Sequence, residues 1–436
     1  MILRDPVHGL VCFEGQAERV VVALLGTREM QRLRRVRQLG LSALVFPGAE
    51  HSRFAHALGA AYVMVRLLDR VRAVHDAVAP EHRLDAEAER DAVAAALLHD
   101  VGHGPFSHLF EEVMPSARSH EAWTVDVIED DATEVHAALR AFDAAMPGRV
   151  SGLLRGEHRL GWLARAVSGT LDVDRCDYLL RDSHMTGARY GLFDLDWLLR
   201  SLRLECTARG EAVLAVEGRK GLPPIEDFFL GRHFMYRQVY HHKATRAAER
   251  LLRAIVVRLA ELVAEQRAPE PLPVALGRAA RAQPVRLDEY LELDDAALQY
   301  SVGCWARDAS DALLRDLCAR LHARRLFKTV PLPPEPEAAP TRARLRERAE
   351  REAAALGLRP DLYVSVDVAR DVPYAEPTDE RPEGVWVAMR HQPLRRLGDC
   401  SFVLGELRNK SFEDARLVVP PEVRDAIADE APTRSG

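Results

Sequence analysis

Three stretches far apart in the chain carry imidazoles and carboxylates in a pattern that suits metal-assisted hydrolysis. LLHDVGHGPFSH places His99 and Asp100 at the end of an apolar run and adds His103 and His108 beyond it. Neutral imidazole nitrogen and ionised carboxylate both ligate divalent cations, and a buried His–Asp pair must find partners for both groups. Taken alone, the pair also fits a capping Asp beside a structural His. His103 follows His99 by four residues, so one helical turn would carry both to one side. Gly102, Gly104 and Pro105 then break the helix and can turn His103 and His108 over one small volume. HSRFAHALG supplies His56, with Arg53 three residues earlier on the same helical face. LDVDRCDYLLRD supplies Asp172, Asp174, Asp177 and Asp182, interleaved with Arg175 and Arg181. Leu171, Val173, Tyr178, Leu179 and Leu180 imply burial of that stretch, and buried carboxylates need cations or a metal.

To bring such residues together the chain must fold mostly as helices. Val63, Leu67, Val71 and Val74 recur at helical spacing, which puts His56 on a helix. Glu87 to Val101 is Ala- and Leu-rich and reads as a buried helix leading into His99. Ala244 to Val263 reads as another long helix, and residues 287–327 as two more, with Asp294 or Asp295 capping the turn between them. Val330 to Pro340 is a Pro/Glu segment that cannot be helical throughout. A charged helix, RARLRERAEREAAALGL, comes next and ends at Gly357 or Pro360. Leu362, Val364, Val366 and Val368 then alternate as in a strand, and GVWVAM and SFVLGEL read as further strands. The closing DEAPTRSG is expected to be disordered.

Bulk properties set limits on function. The 436 residues, 47% of them apolar, are too many for one compact helical domain. A net charge of −6 argues against whole-surface nucleic-acid binding, which wants a basic footprint. The six cysteines (Cys12, Cys176, Cys206, Cys304, Cys318, Cys400) form no C-x-x-C pair, which suits reduced thiols in a cytosol. MILRDPVHGL has no charged leader followed by an apolar core, and no window approaches the roughly 18 apolar residues of a membrane span. A cytoplasmic location is expected.

The order His56, His99–Asp100, Asp174 resembles the H…HD…D signature of the HD superfamily. RDPVHG, QRLRRVRQLG, VFPGAEHSRFAHALG, LLHDVGHGPFSH, LDVDRCDYLLRD and YRQVYHHK resemble its dNTP triphosphohydrolase branch, which includes the sterile-alpha-motif and HD-domain-containing dNTPase and shorter bacterial relatives. The resemblance runs from about Asp5 to Val330 and weakly into the tail. It implies a mainly α fold, with an HD helical core over 1–265, a helical extension over 266–330 and a small C-terminal α/β lobe over 331–436. No sterile-alpha-motif domain is expected.

The resemblance further implies one divalent metal (Fe, Mn, Zn or Mg; sequence does not choose) held by His56, His99, Asp100 and Asp174. Water would attack the α-phosphorus of a deoxynucleoside triphosphate, releasing a deoxynucleoside and tripolyphosphate. His108 takes the general-acid position, with Glu111 (often Asp in the family) and His120 orienting it or relaying protons. His103 matches a histidine near the substrate phosphate. Arg53, Arg175 (often Lys) and Arg232 match phosphate-contacting positions; a triphosphate carries about four negative charges. Gln38 and Asp182 match residues that bind the 3′-hydroxyl, Tyr240 one that packs on the sugar's 2′ carbon, and Tyr178 sits near the same position. Gln31, Arg34, Arg203 and Lys220 match parts of an activator site that relatives form between subunits. Gly26 and Arg4 stand where that site has an Asp and an Asn. A homo-oligomer, dimer or tetramer, with a possible nucleotide activator is therefore expected. The alternatives are a stepwise phosphohydrolase of a nucleotide or nucleotide analogue, and a non-catalytic nucleotide-sensing regulator contacting its partner through the basic tract Arg342 to Arg351.

Overall fold

The computed structural model describes residues 1–106, 118–333, 339–377 and 383–428. The fold is mainly α. Three helices build the region of the candidate ligands. Arg53–Arg72 buries His56, Ala57, Ala60, Val63, Met64, Leu67 and Val71 along one face. Ala86–Leu98 starts on Asp85, whose carboxylate accepts from the Ala88 amide, with Glu87 and Glu89 favourably placed in the first turn. Its run from Ala92 to Leu98 is wholly buried. Val173–Thr186 starts on Asp172, which accepts from the Arg175 amide, and ends on Gly187 with φ of 75°, a conformation that favours glycine. Helix Arg53–Arg72 packs against both of the others. The contact with Val173–Thr186 is close because residue 59 is glycine: a Cβ there would lie 1.8 Å from an oxygen of Asp177.

A second core forms around helix Lys243–Ala264, where Leu251, Leu252, Ile255 and Leu259 meet Trp305, Leu314 and Leu317. The region expected to hold two helices holds three, Leu287–Leu291, Asp295–Asp308 and Ala312–His322, and Asp294 is the cap of the second. Asp294 and Asp311 each accept the amide three residues on, and these two caps break the stretch into the extra turns.

The strands are few and short. Ile2–Asp5 and Gly9–Cys12 form an N-terminal hairpin. Leu202–Cys206 and Ala212–Glu217 form another, and Trp386–Ala388 adds to it in parallel, with Ala215 opposite Trp386. So part of GVWVAM is a strand, but it pairs with residues near position 215 and with the short strand Arg395–Arg396, not with the three other strands of the tail. Those strands are Lys328–Pro331, Phe412–Val419 and Ser365–Asp371, in that spatial order. Two tail expectations need correction. SFVLGEL is helical over Phe402–Leu407, because the Ser401 hydroxyl caps the Leu404 amide at 3.1 Å. Leu362 belongs to a short helical turn opened by Pro360, and the strand starts only at Ser365. The charged helix spans Ala339–Ala355. Part of the Pro/Glu segment (334–338) and all of DEAPTRSG (429–436) lie outside the described residues. All six cysteines are free thiols. Among the described residues no helix is long and apolar enough to cross a membrane.

Asp367, fully buried on Ser365–Asp371, ties this tail sheet to helix Lys243–Ala264. Its carboxylate accepts from Arg246 at 2.7 Å and Arg250 at 2.8 Å. Removing one partner of a buried charge cluster leaves the others uncompensated. Asp367→Ala is expected to lower unfolding stability by about 3 kcal/mol or more, read as a shift of the urea midpoint; an unchanged midpoint would show that this ion cluster is not structural.

Candidate active site

The end of helix Ala86–Leu98 sets the geometry. His99 is its C-cap, and tight turns come after it, with the Val101 amide donating to Leu98 and the His103 amide to Asp100. His99 and His103 therefore do not share a helical turn, contrary to their spacing, and face different partners. The Nε2 of His99 lies 3.2 Å from the Nε2 of His56 and 3.4 Å from Oδ1 of Asp174, which is itself 3.0 Å from His56 Nε2. His103 stacks on His120 with ring centroids 3.9 Å apart, and its Nε2 lies 3.2 Å from Asp100. Gly102 permits the turn, since a Cβ there would lie 2.2 Å from the Thr124 backbone nitrogen.

Hydrogen bonds on the far side of each ring fix which nitrogens face the centre. His56 Nδ1–H donates to Asp177 at 2.7 Å, and His99 Nδ1–H donates to the Ala96 carbonyl at 2.9 Å. Both Nε2 atoms therefore face the Asp174 carboxylate, with His56 Nε2 keeping a proton until a metal displaces it. Three acceptors converging on one point need a cation between them, and two imidazoles with a carboxylate are a fitting donor set for a divalent metal. Asp100 stands beside this trio, its oxygens 3.5 Å from His99 Nε2 and 3.8 Å from His56 Nε2. It also pairs with Arg53. Burial alone would raise the Asp100 carboxyl; His99, Arg53 and His103 outweigh it and hold the group well below the usual range. Burial and the neighbouring Arg53 push His103 well below its ordinary value, so it is a neutral imidazole at pH 7.

From this centre opens a cleft of about 480 Å³, lined by Gln38, Arg53, Asp100, His103, His120, Asp174, Arg175, Tyr178, Asp182 and Tyr240 among others. Ten residues expected from sequence thus line one cavity, Asp174 of the acceptor trio among them. At the other end the Tyr240 hydroxyl donates to Asp182 at 2.9 Å, while His51 Nε2 meets the second Asp182 oxygen at 2.7 Å. Tyr240 closes a π-helical turn, Tyr236–Tyr240, that continues helix Gly218–Met235; such turns often re-aim side chains at functional sites. Tyr178 stands edge-on between His56 and Tyr240.

Arg232 is not in the cleft. Its guanidinium turns to Asp371 at 3.3 Å and to the carbonyls of Val372 and Pro373, in an adjoining hollow of about 360 Å³ that Arg175 also lines. Arg175 bonds Asp172 and the Gly169 carbonyl. The four activator positions fall in two places. Arg34 donates to Gln31 at 2.8 Å and lies over the Phe54 ring, whereas Arg203 and Lys220 line a different hollow with Arg219, Arg390 and His391. His108 and Glu111 lie outside the described residues. Sequence reasoning passed over His51, Tyr236, His241, Arg246 and Glu249 as site residues. Of these, HSRFAHALG already contained His51, and YRQVYHHK contained Tyr236 and His241.

An HD domain model matches residues 53–182, and an HD associated region model matches 193–433. The uncharacterized protein YwfO of Bacillus subtilis is 34% identical over 435 residues, covering 98% of this chain and 93% of YwfO. The chain belongs to the HD-domain phosphohydrolase family. A phosphohydrolase of Bacteroides thetaiotaomicron superposes on this HD protein with a TM-score of 0.79 at 27% identity, covering 96% of this chain and 99% of that one. The deoxynucleoside triphosphate triphosphohydrolase SAMHD1 of Danio rerio is 27% identical over 282 residues, 58% of this HD protein and 44% of SAMHD1.

His56 gives the centre a pH signature. Burial disfavours its imidazolium, but the carboxylates of Asp174 and Asp177 outweigh this and raise the group to about 10. An unfolded histidine titrates near ~6.5. The folded metal-free protein therefore holds this proton more tightly. The resulting stabilisation is fully present below pH ~6.5 and is lost as pH rises through about 10. A divalent ion taking His56 Nε2 must displace the proton, so affinity is expected to rise roughly tenfold per pH unit between about 7 and 9. Calorimetry in buffers of differing ionisation enthalpy should find proton release on binding, to which His99, raised by Asp100 and Asp174 against burial, also contributes; an affinity flat over that range would remove His56 from the ligand set.

Proposed function

We propose that this HD protein hydrolyses deoxynucleoside triphosphates to deoxynucleoside and tripolyphosphate, with His56, His99, Asp100 and Asp174 holding one divalent ion. The observation that carries the reading is that Asp174, which closes the acceptor trio with His56 and His99, and the Asp182–Tyr240 pair line the same cleft, with Arg53 and Arg175 among its walls. The cleft's arginines suit a phosphate chain, and the hydroxyl and carboxylate of the Tyr240–Asp182 pair suit a sugar. The likeness to SAMHD1 supports the same substrate class.

The metal would supply Lewis acidity toward phosphate and water. The side chains do the rest. Arg53 and Arg175 offset phosphate charge. His103, neutral beside Asp100, contacts the phosphate as a hydrogen-bonding group rather than as a second cation. The leaving 5′-oxygen needs a proton, which His108 supplies by its place in the motif, with Glu111 and His120 as relay. At the sugar, Gln38 and Asp182 bind the 3′-hydroxyl. Asp182, already engaged by His51 and Tyr240, is fixed in orientation and cannot swing to serve a 2′-hydroxyl. Tyr240 and Tyr178 then cover the 2′ carbon, so a ribose hydroxyl there finds no partner. An activating nucleotide, if used, would bridge two copies of a homo-oligomer, one giving Gln31 and Arg34 and the other Arg203 and Lys220.

Stepwise removal of phosphates from a nucleotide or nucleotide analogue is the second reading. With the Arg232 guanidinium turned to Asp371, the cleft keeps two of the three expected phosphate cations.

Product analysis separates the two. Metal-loaded protein given each dNTP and NTP is expected to release intact tripolyphosphate; orthophosphate or pyrophosphate from the first turnover would favour the stepwise reading. Asp174→Ala is expected to lose bound metal and turnover together. His108→Ala should keep its metal but slow turnover roughly a hundredfold or more, and unimpaired turnover would exclude it as the acid. Tyr240→Ala should narrow the dNTP-over-NTP ratio of kcat/KM by about tenfold or more, with no change in metal content.

A further inference from the structure

RDPVHG is a motif that the proposed hydrolysis leaves unused. It forms the turn of the N-terminal hairpin, between strands Ile2–Asp5 and Gly9–Cys12. Oδ1 of Asp5 accepts the amides of Val7 and His8, both at 2.9 Å, and folds the turn back on itself. That places His8 Nε2 2.6 Å from Oδ1 of Asp177, a residue 169 positions later. The other Asp5 oxygen accepts from Arg181 at 2.8 Å, and Arg181 in turn grips both oxygens of Asp177, at 2.8 and 2.9 Å. The side chains of His8, Arg181 and Asp177 are 3%, 1% and 0% exposed. Asp177 is the carboxylate that receives Nδ1–H of His56.

We propose that the turn Asp5–His8 is a positioning strap for the metal centre. His8 and the Asp5–Arg181 pair hold the Asp177 carboxylate in one orientation, and Asp177 aims the Nε2 of His56. Neither His8 nor Asp5 is a ligand. The basis is geometric. A carboxylate held by His56 alone could rotate about its own bonds and carry the imidazole with it. Donors arriving from the N-terminal turn and from the helix fix both oxygens. Partners of this kind around a metal-bound histidine typically set affinity by a factor of about 10 to 100.

This inference rests on the metal reading of His56, His99 and Asp174, and the test separates the two. Cobalt(II) is titrated into full-length wild type, His8→Ala, His8→Gln, Asp5→Asn and Asp174→Ala, monitoring heat, visible d–d absorption and, separately, urea unfolding. Wild type is expected to bind one ion and Asp174→Ala none. His8→Ala should bind about 10- to 100-fold more weakly, with an altered d–d spectrum. His8→Gln keeps an N–H donor and should recover much of the loss. Asp5→Asn keeps the turn but weakens the hold on Arg181, and should cost about three- to tenfold; it carries the test should His8→Ala not fold. If folded His8→Ala and Asp5→Asn bind cobalt with wild-type affinity and spectrum, and only the urea midpoint falls, the strap is merely structural and the proposal is overturned while the metal reading stands. Failure of the wild type to bind any ion would overturn both.

Discussion

One wholly buried carboxylate, that of Asp177, organises the centre. It lies where helices Arg53–Arg72 and Val173–Thr186 approach so closely that only glycine fits at position 59. A lone buried carboxylate would take up a proton. Here burial is outweighed by Arg181, His56 and His8, and the group is held well below its usual value. It can therefore accept from His56 permanently, and that bond turns the imidazole's other nitrogen outward. Asp174, one helical turn earlier, points to the same nitrogen from the opposite side. Tight packing, a charged pair and ligand orientation are thus one arrangement, and none of the three can change without the others.

Most of this arrangement could be read from residue types. Histidines and aspartates stood out because they interrupted apolar runs, and the helical period put His56 and Asp174 on helices that proved to be adjacent. The four-residue spacing of His99 and His103 misled, because the helix stops at Leu98 and the chain turns tightly from there. Arg232 turns to Asp371, 139 residues further along, and no local pattern announces such a long-range ion pair. His8 and His51 were passed over on the same ground, since a single histidine in a loop carries no periodicity. The segment SFVLGEL looked like a strand by composition. Its Ser401 cap won, and Phe402 is left 83% exposed.

The C-terminal residues reach the cleft from behind, which makes physical sense of two family regions that abut in sequence. Asp367 fixes Arg246, a lining residue of the cleft. Asp371, at the end of the same strand, holds Arg232 and His233 on helix Gly218–Met235. Trp386–Ala388 extends the hairpin that comes after Val173–Thr186. The HD region supplies the acceptor trio together with Arg53, Arg175 and Tyr178, and the HD associated region adds Tyr236, Tyr240 and Arg246 to the wall.

Charge placement along the cleft derives from these anchors. At the metal end two histidines and two aspartates face one another, and Arg53 touches Asp100 rather than solvent. Arg53 thereby helps to keep Asp100 ionised, and its side chain stays in the wall of the cleft. Arg175 is anchored in the same manner by Asp172, whose carboxyl burial raises to about 6 against the pull of that arginine. Each cation of the cleft is therefore oriented by a buried carboxylate before any ligand arrives. An arginine held this way loses little side-chain freedom when an anion binds, so its attraction for phosphate is spent on binding rather than on ordering.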